Sequence, residues 1–384
     1  YNKYKISEKE GRVKTVFFAN TDWYLYNFRL DLAKFLRGLG WEVIFMAPPG
    51  EYSGRIEEQG FRLIPFEFSR KGTNPITEYQ TISRIRKIYE SERPDIVHHF
   101  TIKCVIYGSF AAKKCGVSTI INAITGLGYV FLGTGFDAKI LRGITTRLYR
   151  IALKNTQIIF ENPDDAALFE KLSLVDKEDI NIILGTGIDT DAFIPIPLPD
   201  SVPLAVLPAR MLWDKGIGEF VKAAAILHER GLRARFALIG KKDEGNPSSI
   251  SYDQLTRWQK EGIVEWWGWQ EDIATVFSMA DVVCLPSYRE GLPKVLIEAA
   301  ACARPIITTD VPGCREVVIH GENGLLVPAK DPEALAAALE TLLRDRELRI
   351  RMGEASRQRA VDIFSTRQVN AETLAVYSKT IRKS

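Results

Sequence analysis

The stretch VVCLPSYREGLPKVLIEAAACARPIIT, residues 282–308, contains the repeating unit of the predicted fold. Val282–Leu285 and Pro305–Thr308 are short β-rich runs, and a helix-like run, Lys294–Ala303, lies between them. Pro293 suits the first helical position, because the N–H that it lacks would have no partner there. A strand, a helix and a second strand in this order predict two parallel strands with a helix packed on their sheet.

Two glutamates in this stretch are candidates for ligand binding. Glu298 lies among small and apolar side chains, where a carboxylate is costly unless something donates hydrogen bonds to it. Glu290 lies in the loop before the helix, beside the amides of Gly291 and Leu292, and a helix N-terminus favours anions and hydroxyl groups. This arrangement suits a polyhydroxylated ligand, although a salt-bridged buried glutamate also explains Glu298.

The same alternation of strands and helices continues on both sides of a proline-rich segment, Ile194–Pro203, which predicts a linker. The pattern predicts the α/β class, with two Rossmann-like domains whose parallel sheets face each other across a cleft. The predicted strands of the first half are Val13–Ala19, Glu42–Ala47, Asp95–His98, Thr119–Ile124 and Gln157–Glu161. The predicted divisions are a first domain at 1–190, a linker at 191–203, a second domain at 204–364 and a C-terminal helix, about 365–384, that packs back on the first domain.

Composition argues against several classes of protein. The chain has 384 residues and a net charge of +3, which is too small to indicate nucleic-acid binding. Its five cysteines have no metal-binding spacing and are typical of a reducing compartment. No apolar run approaches the length of a membrane span, and no signal-peptide core is present near the N-terminus. The expected setting is the cytosol, with peripheral membrane contact left open.

A loop of the second domain carries two cations. Arg210 and Lys215 follow a predicted strand and precede the next helix, and from there they could hold a diphosphate. Gly240 ends another strand, where backbone can approach a ligand closely. The alternative is that both cations are ordinary solvated surface charges.

Taken together, these segments resemble the signature of retaining glycosyltransferases of family 4, which have the GT-B fold. Residues 287–318 look like the main signature, and Arg210–Gly216 looks like the family's Arg-x4-Lys phosphate clamp. Gly185–Phe193 and Glu322–Val327 are similar to two further family segments. The resemblance covers most of the second half of the chain.

The resemblance implies the reaction and the donor-side roles. Arg210 and Lys215 would neutralise the diphosphate of a UDP-sugar, Glu290 would bind the transferred sugar and Glu298 the ribose. Trp267–Gln270 would contact the base. No metal or other cofactor is expected, because the cations stabilise the leaving group. The residues with these roles are Glu290, Arg210 and Lys215 at the reacting centre, and Gly240, Trp269, Gly291, Leu292 and Glu298 as donor-binding residues.

Two segments of the N-terminal half depart from the common family pattern. Asn20–Arg29 replaces a glycine pair, and Thr125–Phe131 stands where many members carry a histidine. His99 is the nearest substitute and is predicted to be catalytic, with a structural role as the alternative. Both segments look like those of bacterial members that extend polyprenyl-diphosphate-linked sugars, including N-acetylgalactosaminyltransferases that act on undecaprenyl-diphosphate-bacillosamine. The acceptor-binding residues implied by this likeness are Asn27, Arg29, Thr125, Gly126 and Gly128.

The predicted helix Leu141–Lys154 interleaves cations with apolar residues. A basic amphipathic helix can lie on an anionic membrane surface. The alternative is an ordinary helix whose apolar stripe faces the core.

Three functions are compatible with these features. The first is transfer of a hexose or N-acetylhexosamine from a UDP-sugar to a polyprenyl-diphosphate-linked sugar, at the inner face of the cell membrane, in assembly of bacterial protein glycans, O-antigen or capsule. The second is transfer to a soluble acceptor. The third is a non-catalytic protein that binds sugar nucleotides, and the combination of a phosphate clamp with two carboxylates argues against it. The identity of the donor sugar does not follow from the sequence.

Overall fold

The computed structural model describes residues 13–69, 72, 74–126 and 136–381. The chain divides into two compact units. Unit 1 contains the residues up to Thr186 together with those from Val369 onward, and unit 2 contains Gly187–Gln368. Each unit is built around its own parallel sheet, whose strands alternate with helices along the chain.

Unit 1 has a sheet of seven strands among the described residues. In chain order these strands are β1 Lys14–Phe18, β2 Glu42–Ala47, β3 Arg62–Pro65, β4 Ile96–Phe100, β5 Thr119–Ile124, β6 Gln157–Phe160 and β7 Ile180–Ile182. They lie in the order β3-β2-β1-β4-β5-β6-β7, and the pairings between neighbours are parallel. All residues of β4 and β5 are buried, because helices cover both faces of the sheet.

The helices of unit 1 form a layer on each face of this sheet. They are α1 Asp22–Gly38, α2 Ser53–Glu58, α3 Pro75–Glu92, α4 Ile102–Lys114, α5 Phe136–Leu153, α6 Pro163–Lys171 and the C-terminal α14 Thr366–Ile381. α3, α4 and α5 pack side by side on one face. On the other face, Tyr377 of α14 belongs to the same apolar cluster as Leu25 of α1. The Tyr377 hydroxyl lies 2.6 Å from Nδ1 of His98.

Unit 2 has a six-stranded sheet among the described residues. Its strands are β8 Leu204–Pro208, β9 Arg235–Ile239, β10 Glu265–Gly268, β11 Val282–Leu285, β12 Ile306–Thr309 and β13 Gly324–Val327. They lie in the order β10-β9-β8-β11-β12-β13, again with parallel pairings. Its helices are α7 Ile217–Glu229, α8 Tyr252–Lys260, α9 Ile273–Met279, α10 Lys294–Ala301, α11 Cys314–Val317, α12 Pro332–Arg344 and α13 Arg346–Ile363.

Helix starts follow short capping signals in the sequence. Asn74 caps α3 by accepting a hydrogen bond from the Ile76 amide, and Pro75 occupies the first turn. The apolar pattern of the sequence predicts a helix only over Ile82–Glu92, so the predicted start is wrong by two turns. Pro293 was predicted to be the first residue of a helix, but it is the residue immediately before α10, which begins at Lys294.

Three arginines of unit 2 bind backbone carbonyls in the proline-rich segment or just before it. Arg304 donates to the carbonyl of Ile196, and Arg346 donates to those of Leu198 and Pro199. Arg357 donates to the carbonyls of Thr190 and Phe193, which lie just before that segment. The segment is therefore fixed to unit 2 by charge-assisted hydrogen bonds. Within the described part of the chain, no helix is both long enough and apolar enough to span a bilayer.

Candidate functional site

The order of the strands in unit 2 predicts where a ligand binds. The chain runs outward from β8 through β9 to β10 on one side, and from β11 through β12 to β13 on the other. Ligands of such sheets bind beyond the carboxyl ends of the strands where this direction changes. The loop 209–216 follows β8 and the loop 286–293 follows β11. Arg210, Lys215 and Glu290 lie in these two loops.

Lys215 and Glu290 form an ion pair between the two loops. The Lys215 ammonium Nζ lies 2.5 Å from Glu290 Oε1, and both side chains are largely shielded from solvent. Seventy-five positions separate the two residues in the chain, so the pair exists because the sheet places both loops at one edge. A cation and a carboxylate at the carboxyl edge can together bind a phosphate and a sugar hydroxyl.

Backbone contacts fix these two loops against each other. The Tyr288 amide donates to the carbonyl of Asp214 over 2.9 Å, and Ser287 Oγ donates to the same carbonyl over 3.1 Å. Gly216 has φ +72°, and a Cβ there would lie 2.0 Å from the carbonyl oxygen of Pro286. Only glycine allows the loops to approach this closely, so the distance between Lys215 and Glu290 is set by the backbone.

The far side of the Glu290 loop rests on the segment after β12. The Glu290 amide donates to the carbonyl of Pro312 over 3.2 Å. Gly313 has φ +85°, and a Cβ there would lie 2.5 Å from the Gly291 carbonyl oxygen. Gly291 and Leu292 are thus held just before the first residue of α10, where a ligand would meet the N-terminus of that helix.

Arg210 lies in the same loop as Lys215 but has a different partner. Its guanidinium Nη1 donates to Asp243 Oδ2 over 2.6 Å, and its side chain is mostly exposed. The structure therefore brings Lys215 and Glu290 together and places Arg210 beside Asp243. The sequence interpretation did not include Asp243, although it follows the strand that Gly240 ends.

Gly240 joins the Arg210 loop to a tryptophan-rich segment. Its φ is +143°, and a Cβ would lie 1.9 Å from the carbonyl oxygen of Ala209. Its carbonyl accepts from Trp266 Nε1 over 2.9 Å. Trp269 is largely exposed, with Lys241 Nζ 5.6 Å from its ring centroid. An exposed indole at the carboxyl edge offers a flat surface to an aromatic base.

Glu298 lies in the second turn of α10, and its carboxylate is largely buried. Lys294 Nζ is 3.9 Å from its Oε1. Burial raises the pKa of Glu298, and Lys294 acts in the opposite direction. A distance of 3.9 Å is long for an ion pair, so the salt-bridge alternative accounts for Glu298 only in part. Hydrogen-bond donors such as a ribose diol would stabilise the carboxylate further.

A cavity of about 380 Å³ opens at the carboxyl edge of the unit 1 sheet. β1 and β4 are the neighbours at which the strand order changes direction there. The cavity is lined by residues that follow three strands: Asn20 after β1, Thr101 after β4, and Thr125 and Gly126 after β5. Lys103 also lines it. Thr125 and Gly126 were predicted to bind the acceptor, and Gly128 lies outside the described residues.

Sequence analysis missed three of the residues that line this cavity. Asn20, Thr101 and Lys103 directly follow the two strands at the change of direction, and this position was the available signal. Thr101 has φ +71°, a conformation that is costly for a β-branched residue and that clusters at functional sites. Lys103 Nζ donates to Glu78 Oε1 over 2.7 Å.

Arg29 and Asn27 lie on α1, and their side chains already have partners in unit 1. Arg29 is buried, donates to the Tyr24 hydroxyl over 2.6 Å and lies 3.6 Å from Glu161 Oε1. Its guanidinium also lies 4.3 Å from the centre of the Phe100 ring. Asn27 Nδ2 donates to the Trp23 carbonyl. Burial raises the pKa of Glu161 to about 7, although Arg29 opposes that rise.

His99 is completely buried in β4, and both ring nitrogens are engaged. Nε2 lies 3.0 Å from the Tyr89 hydroxyl, and Nδ1 lies 2.9 Å from Asn122 Oδ1. Burial lowers the pKa of His99 to about 4, so the imidazole is neutral near pH 7. A Cβ at Gly108 would lie 2.5 Å from Nε2. These contacts contradict a catalytic position for His99 and support the structural alternative.

Two family models match consecutive parts of the chain. The model described as glycosyl transferases group 1 matches residues 190–359, and the model described as glycosyl transferase 4-like matches residues 14–162. Together they span the segments that hold the Lys215–Glu290 pair and the cavity of unit 1.

Individual proteins are similar along most of the chain. The N,N'-diacetylbacillosaminyl-diphospho-undecaprenol alpha-1,3-N-acetylgalactosaminyltransferase of Campylobacter jejuni is 29% identical over 93% of this chain and 96% of its own length. The UDP-Gal:alpha-D-GlcNAc-diphosphoundecaprenol alpha-1,3-galactosyltransferase of Escherichia coli is 25% identical over 76% of each chain.

The fold has solved counterparts. Anabaena HepE, in complex with UDP and glucose, superposes with a TM-score of 0.78 at 16% identity, covering 96% of this chain and 100% of its own. The predicted α/β class and the GT-B fold are thereby confirmed. The chain belongs to the group 1 glycosyl transferases, the family 4 enzymes that its motifs resemble.

Proposed function

We propose that this glycosyltransferase moves a hexose or an N-acetylhexosamine from a UDP-sugar to a polyprenyl-diphosphate-linked sugar in bacterial glycan assembly, with retention of configuration. The observation that carries the proposal is the Lys215–Glu290 ion pair at the carboxyl edge of the unit 2 sheet. The pair supports the proposal because a cation that could bind phosphate lies against a carboxylate that could bind a sugar, at the position where such sheets bind nucleotides.

On this proposal, unit 2 binds the donor. Lys215 holds the diphosphate with Arg210, which exchanges Asp243 for a phosphate oxygen, and Glu290 accepts hydrogen bonds from the transferred sugar. Glu298 accepts from the ribose, whose hydroxyls offset the cost of burying that carboxylate. Trp269, with the backbone of Gly240, Gly291 and Leu292, completes the donor site.

Retention and metal independence are parts of the same proposal. As the UDP leaving group gains negative charge, two cations and the N-terminus of α10 would stabilise it without a metal. The names of the Campylobacter and Escherichia coli relatives both specify alpha-1,3 products. An α-linked product made from an α-linked donor requires retention.

The acceptor is assigned to the cavity of unit 1. Both relatives are named for acceptors that carry a sugar on a diphosphate-linked undecaprenol. The cavity combines the hydroxyls of Thr101 and Thr125, the amide of Asn20 and the cation Lys103 with the backbone of Gly126. These groups suit a sugar attached to an anionic diphosphate.

Peripheral membrane contact is assigned to the outer surface of α5. Ile144 and Ile151 are 54% and 60% exposed, while Leu148 of the same helix packs against the core. Arg147 and Lys154 are exposed beside the two isoleucines. Exposed apolar side chains flanked by cations suit an anionic membrane surface, which is where a polyprenyl-linked acceptor is found.

A donor screen followed by product analysis tests the proposed function. Calorimetry with several UDP-sugars should identify one donor that binds wild-type protein, and mass spectrometry should then detect its sugar added to a polyprenyl-diphosphate-linked saccharide. The anomeric coupling in the NMR spectrum of the product should report an α linkage. Transfer to free oligosaccharides, with none to the lipid-linked saccharide, would instead establish a soluble acceptor.

A further inference from the structure

Tyr24, in the first turn of α1, joins a buried ion pair to the cavity of unit 1. Its hydroxyl oxygen accepts a hydrogen bond from Arg29 Nη2 over 2.6 Å. The same hydroxyl is hydrogen-bonded to the side chain of Thr125, and Thr125 lines the cavity. A continuous line of contacts therefore runs from Arg29 through Tyr24 to the cavity wall.

Arg29 is the fixed end of this line. Its side chain is only 7% exposed, and its Nη2 lies 3.6 Å from Oε1 of Glu161, which is equally buried. The guanidinium also lies 4.3 Å from the centre of the Phe100 ring. Arg29 was predicted to bind the acceptor directly, but it is absent from the described residues that line the cavity. Its connection to the cavity is Tyr24.

The donors and acceptors of these side chains favour one direction for the hydrogen bonds. A guanidinium has N–H donors and no acceptor, so the Tyr24 oxygen accepts from Arg29. The proton of Tyr24 then needs an acceptor, because an unpaired donor in a desolvated position is costly. Desolvation raises the pKa of Tyr24, although Arg29 opposes that rise, so the hydroxyl keeps its proton at neutral pH. The oxygen of Thr125 is the acceptor within reach.

We propose that Tyr24 is a positioning residue that donates to Thr125 Oγ1 and so directs the proton of Thr125 to an oxygen of the acceptor. A hydroxyl group has one proton, and a Thr125 oxygen that accepts from Tyr24 leaves that proton for a ligand in the cavity. The inference rests on the proposed function, because it concerns the acceptor of the same reaction. It also replaces the direct role predicted for Arg29 with an indirect one.

The ring of Tyr24 is packed firmly enough to fix the position of its hydroxyl. It stacks on the Phe28 ring with 5.1 Å between the centroids, and the Phe100 ring lies 5.7 Å away. Phenylalanine in place of Tyr24 keeps this packing and removes only the hydroxyl. The variant Y24F therefore isolates the hydrogen bonds to Arg29 and Thr125 from the packing of α1.

A double-mutant cycle between Tyr24 and Thr125 tests the inference. Calorimetry measures binding of farnesyl-diphosphate-linked N-acetylglucosamine, and of the free N-acetylglucosamine disaccharide as a second probe. Y24F and T125V should each bind the lipid-linked sugar about tenfold more weakly than wild type. Y24F/T125V should bind it no more weakly than T125V, because Tyr24 acts through a hydroxyl that is already lost. T125S, which keeps the hydroxyl, should lose much less than T125V.

The control variant is Y26F on the same helix. The Tyr26 ring lies 5.3 Å from that of Tyr52, and the variant removes a tyrosine hydroxyl from α1 without changing Tyr24 or Thr125. Y26F should bind both probes like wild type, and Y24F should keep the wild-type affinity for UDP. Tyr24 with a purely structural role would instead give additive losses in the cycle, and T125S as weak as T125V would contradict a role for the hydroxyl. Either result overturns the inference, as does wild-type protein that binds neither probe.

Transfer assays with the same lipid-linked sugar separate the inference from the proposed function. If the cycle is non-additive but wild type transfers no sugar to this acceptor, the proposed function fails and the positioning role stands. If wild type transfers sugar and Y24F binds the acceptor as tightly as wild type does, the positioning role fails and the function stands. Where transfer is measurable, Y24F should raise the KM for the acceptor about tenfold and leave the KM for the donor unchanged.

Discussion

The Tyr288 hydroxyl donates a hydrogen bond to Glu219 Oε1 over 2.8 Å, and this contact joins the loop that carries Glu290 to the first turn of α7. The Lys330 ammonium lies 4.7 Å from the centre of the Tyr288 ring. Tyr288 is two residues before Glu290, and its amide is bonded to the carbonyl of Asp214, next to Lys215. Its backbone thus joins the loops that carry Glu290 and Lys215, and its side chain anchors the Glu290 loop to α7.

Replacing Tyr288 by Phe should weaken catalysis more than donor binding. The variant loses one hydrogen bond to a charged group, which contributes about 2 kcal/mol of stability, and leaves Glu219 without that donor. We expect kcat to fall about fivefold to tenfold with little change in UDP affinity, because Glu290 moves relative to Lys215 while both remain present. Steady-state kinetics and calorimetry with UDP measure the two effects. An equal loss of kcat and UDP affinity would contradict this positioning role.

Replacing Lys215 by Met should abolish most transfer without unfolding the protein. The variant removes the cation from the leaving diphosphate, and loss of one such electrostatic contact costs about 10²-fold to 10³-fold in kcat. Charge reversal to Glu should cost more, because Glu290 would then face a second carboxylate. The exposed Lys222 on α7 provides the control, K222M, which should retain wild-type rates. Unchanged turnover in K215M would refute the proposed donor site.

Replacing Gly216 by Ala should damage the site through the backbone alone. A Cβ at this position would lie 2.0 Å from the Pro286 carbonyl oxygen at a φ of +72°. The two loops must then separate, at a cost of more than about 2 kcal/mol. We expect a lower melting temperature together with weaker UDP binding, measured by differential scanning fluorimetry with and without UDP. Gly231, which has φ +73° but open space around its Cβ, controls for the backbone conformation itself. Similar losses in G231A and G216A would show that φ, and not the contact with Pro286, limits this loop.

The parallel sheets could be predicted because most of their strands are short apolar runs. Glu42–Ala47, for example, was predicted with the bounds that β2 has. α4 was missed because eight of its residues are buried, so its sequence has no polar face to reveal the helical period. β10 was missed because its two tryptophans lie in an edge strand and are only half-buried.

The candidate site was predictable as a set of residue types but not as a set of contacts. Glu290 and Lys215 could be singled out from their loops, yet their pairing depends on which strands are neighbours in the sheet. His99 was misjudged for the same reason. It follows a strand in the predicted sequence pattern, but β4 extends to Phe100 and places its ring between Tyr89 and Asn122. Whether such a side chain has a structural or a catalytic position depends on partners that are distant in the sequence.

His99 should make the stability of the protein depend on pH in a defined direction. Its pKa is about 4 in the folded protein and about 6.5 when unfolded. The unfolded chain therefore binds the proton more readily, so His99 contributes no penalty above pH 6.5 and destabilises the protein progressively as the pH falls toward 4. The difference of about 2.5 pKa units corresponds to about 3 kcal/mol.

The variant H99Q measures this contribution by difference. It should be less stable than wild type at pH 8 because it loses the fit between Tyr89 and Asn122, and the gap should narrow as the pH falls to 4. Glu161 has the opposite pH dependence, because its raised pKa of about 7 stabilises the folded state at low pH, but it is present in both proteins and cancels. Urea unfolding at several pH values gives the two curves. A pH-independent gap would show that His99 keeps an ordinary pKa.

The exposed isoleucines of α5 should control binding to anionic vesicles. The variant I144S/I151S removes two side chains that would enter the interface, so we expect its partition onto vesicles with anionic headgroups to fall about tenfold or more. The variant R147Q/K154Q should instead weaken the salt dependence of binding, because it removes charge and leaves the apolar surface intact. Co-sedimentation at low and high salt separates the two contributions. The variant I182S controls for the loss of an exposed isoleucine elsewhere in unit 1. If I144S/I151S binds these vesicles as well as wild type does, α5 is excluded as the membrane surface.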